Sequence, residues 1–152
     1  MPSVLLPVPH YPQTGKYNCL PACARMVLAY LGLSATEAEL AARLGTTPLG
    51  TTGRNLLRLQ DKSLFVAYGP LTLPLLKTEL DQNRPVIVLV SSLFLDYWQK
   101  DTAHAVVVVG YDGDRVFLND PAFAVAPQRA TENGLLAAWG EFDYLASIIK
   151  KQ

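Results

Sequence analysis

Four residues in this chain could combine into a nucleophilic site: Cys19, His104, Asp120 and Gln13. A cysteine attacks a carbonyl as its thiolate, and an imidazole beside it can take up the proton. A carboxylate near that imidazole fixes its tautomer and stabilises the imidazolium. Thiol, imidazole and carboxylate are the parts of a thiol-nucleophile triad. Gln13, a short way upstream of Cys19, offers a carboxamide N–H that could join the Cys19 backbone N–H around a developing oxyanion.

The elements around these residues suit that task. Asn18 is a good helix N-cap, and Pro21 belongs in the first turn of a helix, where its missing N–H removes no intrahelical bond. Cys19 is therefore expected at a helix N-terminus. Across residues 20–31 Arg25 is the one charged residue, and apolar side chains lie all round, which predicts a helix buried on most of its surface. Free backbone N–H groups and the positive end of the helix dipole favour thiolate over thiol at such a position. His104 opens an apolar β-branched run over residues 105–109, followed by Gly110, Tyr111 and the turn Asp112-Gly113-Asp114. A second run, Val116-Phe117-Leu118, ends at Asn119-Asp120-Pro121. This predicts a β-hairpin closed by an Asp-Gly turn, with His104 and Asp120 at the same end of the sheet.

Taken together these residues resemble a known family. Gln13, then Cys19 followed by Leu-Pro-Ala and an apolar helix, then His104 opening a valine-rich strand, then Asp120-Pro121, are similar to the bacteriocin-processing peptidases. These are papain-like cysteine peptidases that remove double-glycine leader peptides. The resemblance spans nearly the whole chain. It implies Cys19 as nucleophile, His104 as general base and acid, Asp120 as the orienting residue and Gln13 as an oxyanion-hole donor. It also implies a peptide or protein substrate with small residues before the cut. Leu20 stands where many members have glycine, and many members carry a transporter membrane domain that is not among these residues. Association with a separate transporter is the partner this leaves open. Two other functions use the same residues or fold: a papain-like acyltransferase, in which an amine resolves the acyl enzyme, and a non-catalytic peptide-binding module.

Composition narrows the alternatives. With 152 residues, one domain over 1–152 is expected, long enough to bury a substantial core. Thirteen basic and thirteen acidic residues balance, so no global field draws in nucleic acid or an anionic membrane surface. The apolar runs are far shorter than the roughly 20 residues of a membrane-spanning helix. The opening residues lack a basic n-region and are broken by prolines at 2, 7, 9 and 12, which does not read as a signal peptide. Cys19 and Cys23 are the only cysteines, and a shared helix face does not easily meet disulfide geometry. A reduced, cytoplasmic protein is the expectation, with Cys23 a small buried hydrophobe. No metal-ligand spacing or GxxxxGK[ST] pattern occurs, and the chemistry calls for no cofactor.

Along the chain, residues 1–12 read as a proline-punctuated extended arm that delivers Gln13 to a cleft. Ser34 or Thr36 is expected to cap a short packing helix, with Glu37 and Glu39 in its first turn and Gly45 at its end. A turn-rich loop over 46–53 leads to a helix near 54–62. Residues 65–68 predict a strand, 73–83 an amphipathic helix with Leu76 and Leu80 inward, and 86–90 a buried strand. Phe94, Tyr97 and Trp98 lie on a loop leading to His104, readable either as apolar subsites or as satellite core. Residues 122–127 predict a short strand, Thr131 caps a helix through Trp139, and 143–149 close the sheet. Helices concentrated in the first half and strands in the second indicate an α+β domain. The central buried helix would pack on a C-terminal antiparallel sheet, the arrangement of the papain-like cysteine peptidase fold that the resemblance implies.

Overall fold

The structure, a computed structural model, describes residues 3–152. Strand β1 (Ser3–Leu5) leads into helix α1 (Cys19–Tyr30) and helix α2 (Glu37–Leu44). A 3-10 turn over Gly53–Leu59 connects to β2 (Leu64–Pro70) and α3 (Leu73–Asp81), then β3 (Val86–Ser91). The long β4 (Ala103–Asp112), β5 (Arg115–Asn119), β6 (Gln128–Thr131), α4 (Glu132–Gly140) and β7 (Leu145–Lys151) complete the chain. The strands form one antiparallel sheet in the order β2-β7-β3-β4-β5-β6, with β1 also paired to β4.

The expected α+β architecture is present. β4 is its spine: residues 104–111 are buried without alternation, so both faces of the strand are covered. α1 and α3 both pack against it. As its all-round apolar sequence predicts, α1 buries Leu20, Ala22, Cys23, Ala24, Met26, Val27 and Leu28. Cys23 has no exposed surface and fills the role of a small hydrophobe; burial pushes its thiol well up, and charge on Cys19 and Asp120 adds to that.

The β4–β5 hairpin forms with Asp112 opposite Arg115, so the two turn residues are Gly113 and Asp114, and Gly113 takes the positive φ of 59°. The N-terminal arm also joins the sheet. β1 pairs Val4 with Tyr111 and Leu5 with Gly110, while β3 pairs with residues 103–108 of β4. Gly110 permits this, because a Cβ there would stand 2.1 Å from the Val4 carbonyl oxygen.

Other local expectations are revised. The helix expected near 54–62 is a 3-10 turn over Gly53–Leu59, and β2 runs through Gly69-Pro70 at the sheet edge. Residues 122–127 are not a strand. The N–H of Phe123 donates to the Asp120 carbonyl at 3.1 Å and that of Ala122 to Asp120 Oδ1 at 2.9 Å, which turns the chain there. The helix expected after Thr131 is present as α4, between β6 and β7, capped by Thr131 Oγ1 accepting from Gly134 N–H at 2.9 Å. No helix of the described residues is long and apolar enough to cross a membrane.

Candidate active site

Cys19 is the first residue of α1, half-buried, at the mouth of the helix. Asn18 occupies the N-cap position, but its side chain makes no cap hydrogen bond. Instead its Nδ2 donates to Glu37 Oε2 at 3.0 Å. Pro21 has no N–H, and the first bond of the helix runs from Ala22 N–H to the Asn18 carbonyl at 3.0 Å. Among the described residues the N–H groups of Cys19 and Leu20 therefore have no partner and remain available at the thiol.

His104 is the second residue of β4, opposite Val90 on β3, and is 8% exposed. Asp120 follows the last residue of β5 and is fully buried. The hairpin register brings them together: His104 Nε2 lies 2.7 Å from Asp120 Oδ1. An ionised carboxylate only accepts, so Nε2 carries the proton and donates, and Nδ1 is left as the ring nitrogen free to meet the thiol. Burial alone would lower the pKa of His104. The hydrogen bond to Asp120 and the influence of Cys19 and Asp120 beside the ring outweigh it, and His104 is pushed up to about 9.

Two residues left ambiguous by the sequence complete the carboxylate's shell. Tyr97 Oη and Trp98 Nε1 each donate to Asp120 Oδ2 at 2.8 Å, so with His104 and Ala122 four donors converge on one buried carboxylate. Burial would raise the pKa of Asp120, but the bond and charge of His104, then the bonds from Trp98 and Ala122, hold it below the ordinary aspartate range. Burial, with the charge on Asp120, pushes the Tyr97 phenol upward, so it remains a donor. The Trp98 ring also meets His104 edge-on, with centroids 5.0 Å apart, and Phe123 at 5.3 Å. These aromatics wall the imidazole–carboxylate pair away from water. Their sequence signal was only proximity to His104 and the polar N–H and O–H that buried Trp and Tyr must satisfy.

Gln13 lies on the same cleft, of about 390 Å³, as Cys19, His104 and Trp98. Its backbone N–H donates to the Pro121 carbonyl at 2.8 Å, tying the arm to the residue after Asp120. Its carboxamide Nε2 donates to the carbonyls of Gly15 at 3.0 Å and Lys16 at 3.3 Å, while Oε1 is buried without a partner. The turn-rich segment lines the opposite rim with Pro48, Leu49 and Gly50. Thr47 and Gly50 exchange backbone hydrogen bonds of 3.0 and 2.8 Å, and Leu49 at the tip is 99% exposed. His10, by contrast, is spent on the carbonyl of Phe123 at 2.7 Å and is away from this cleft. No cluster of three or more His, Cys, Asp or Glu that could hold a metal occurs among the described residues.

A family model, the Peptidase_C39 like family, matches residues 5–147. The chain belongs to this family. An uncharacterized protein of Methanothermobacter thermautotrophicus is 36% identical over 110 residues, which is 72% of this chain and 69% of the relative. Among solved structures, the peptidase domain of Streptococcus ComA, a bi-functional ABC transporter of a quorum-sensing pathway, superimposes with a TM-score of 0.77 at 22% identity, covering 94% of this chain and 98% of that one. A double glycine motif protease from an AMS/PCAT transporter, solved with its leader peptide, gives 0.78 at 20% identity, covering 98% and 95%. At those identities the likeness establishes the papain-like fold of the C39 peptidase domains, and the family membership rests on the model match.

Proposed function

We propose that this C39-like chain is a cysteine peptidase that cleaves peptides after small residues such as a double glycine. The observation that carries the reading is the buried Asp120–His104 pair, with Nε2 committed to the carboxylate, opening onto the same cleft as Cys19. Cys19 is the nucleophile. His104 takes the thiol proton, and a pKa of about 9 keeps the resulting imidazolium protonated at neutral pH, ready to act as acid. The sulfur attacks the scissile carbonyl, and the oxyanion that forms is met by the unpaired Cys19 N–H. Gln13 supplies the second donor by giving up its longer, solvent-exposed bond to Lys16. Collapse breaks the C–N bond as His104 protonates the leaving amine. Water, deprotonated by the now neutral imidazole, hydrolyses the thioester and restores Cys19. Asp120 orients the ring throughout and does not itself become protonated.

The preference for small residues is supported by the double-glycine protease among the structural relatives. The test is mass-spectrometric: peptides containing a Gly-Gly pair, incubated with the protein, are expected to be cut after the second glycine, with the activity lost in Cys19→Ala. Intact peptides after prolonged incubation with wild type would overturn the reading.

A further inference from the structure

Glu37, the first residue of α2, has no part in the proton transfers above, yet it is only 7% exposed and no cation pairs with it among the described residues. Its carboxylate is satisfied instead by one loop, the one that joins Gln13 to Cys19. Thr14 N–H donates to Oε1 at 2.9 Å and Thr14 Oγ1 to Oε2 at 2.6 Å, while Gly15 N–H at 3.1 Å and Asn18 Nδ2 at 3.0 Å also donate to Oε2. Burial pushes its carboxyl up, but the bonds from Asn18, Thr14 and Gly15 hold it below the ordinary glutamate range. A buried anion held only by the donors of one loop fixes that loop's backbone.

What the loop carries is the oxyanion-binding equipment. The carbonyls of Gly15 and Lys16 accept from the Gln13 carboxamide, so their position sets where that carboxamide points. Drawing the Asn18 side chain toward α2 also takes the usual N-cap acceptor away from the Leu20 N–H, so the start of α1 stays open beside Cys19, whose own N–H has no partner among the described residues. The packing is tight: a Cβ at Gly15 would stand 2.5 Å from Asn18 Nδ2.

We propose that Glu37 is a positioning residue for the oxyanion hole, holding the 13–18 loop so that the Gln13 carboxamide and the Cys19 N–H converge on the reacting carbonyl. The inference rests on the peptidase reading above. Glu37→Gln keeps the size of the side chain and sets a carboxamide N–H₂ against donors that need an acceptor. In a Gly-Gly peptide assay kcat is expected to fall roughly 10- to 100-fold with KM nearly unchanged, less than the loss from deleting an oxyanion donor itself. Iodoacetamide alkylation of Cys19 displaces iodide without forming an oxyanion, so its pH profile should be that of wild type. Glu37→Asp, which retains two acceptor oxygens, should recover part of the loss. Thr14→Val, at an exposed position, should show the same kcat-selective loss on a smaller scale if Glu37→Gln does not fold. Wild-type cleavage with kcat in both variants within about twofold would overturn the positioning role alone. So would parallel losses of kcat and Cys19 alkylation, which would mark a general loss of structure. A wild type that alkylates but cleaves no peptide would overturn the peptidase reading and this inference with it.

Discussion

At the scale of single residues the chemistry turns on opposing demands made of His104. Its burial favours the neutral ring, while Asp120 and Cys19 favour the charged one, and the outcome is a pKa of about 9 against an ordinary 6.5. A folded-state value raised in this way contributes stability that is complete below about pH 6.5 and is lost as pH rises through about 9. The gap corresponds to roughly 3 kcal/mol. Urea unfolding at fixed pH values should therefore show wild-type stability falling between pH 6.5 and 9, and His104→Ala should remove most of that slope. An identical slope in the variant would mean that the pair does not carry the linkage. That Cys19, His104 and Asp120 come together was legible in the sequence because their types, order and flanking elements agree. Glu37 was not, because an acidic residue in a helix's first turn is ordinary, and only the tertiary fold brings the 13–18 loop onto it. Asn18 does take the N-cap position expected of it, but the partner of its side chain was not legible for the same reason: it has two possible partners, and the buried carboxylate wins over the helix end.

Elements explain how residues so far apart in sequence come to share a cleft. α1 supplies the thiol and the β4–β5 hairpin supplies the imidazole and carboxylate, and the register of that hairpin decides whether they meet. The hairpin could be read from two β-branched runs flanking a glycine turn. The third neighbour of β4 could not, since three residues within a proline-rich arm carry little pattern of their own. Gly110 records that neighbour. Gly110→Ala would drive a Cβ into the Val4 carbonyl, and overpacking of this kind costs about 1–3 kcal/mol. A denaturant midpoint lowered accordingly, with the pH profile of Cys19 alkylation retained, is the expected outcome. An unchanged midpoint would show that β1 contributes nothing to the stability of the sheet. The loop around Tyr97 and Trp98 resisted reading because a hydrogen bond to Asp120 depends on where two distant segments come to rest.

Over the whole molecule, a helix whose N-terminus is left uncapped faces a sheet that holds a buried ion pair, and the cleft between them has donors on one side and an imidazole on the other. The fold that sets these two faces against each other is that of the C39 peptidase domains. The central claim is that Cys19 is a nucleophile activated by His104. It is tested most directly by the rate of iodoacetamide alkylation at each cysteine against pH, read by mass spectrometry in wild type and in His104→Ala. Cys19 is expected to react more readily at neutral pH than an ordinary thiol, Cys23 to stay protected inside α1, and His104→Ala to move the Cys19 profile toward the ordinary one. A wild-type Cys19 that is inert, or that already follows the ordinary profile, would contradict an activated nucleophile and leave the cleft as a peptide-binding groove.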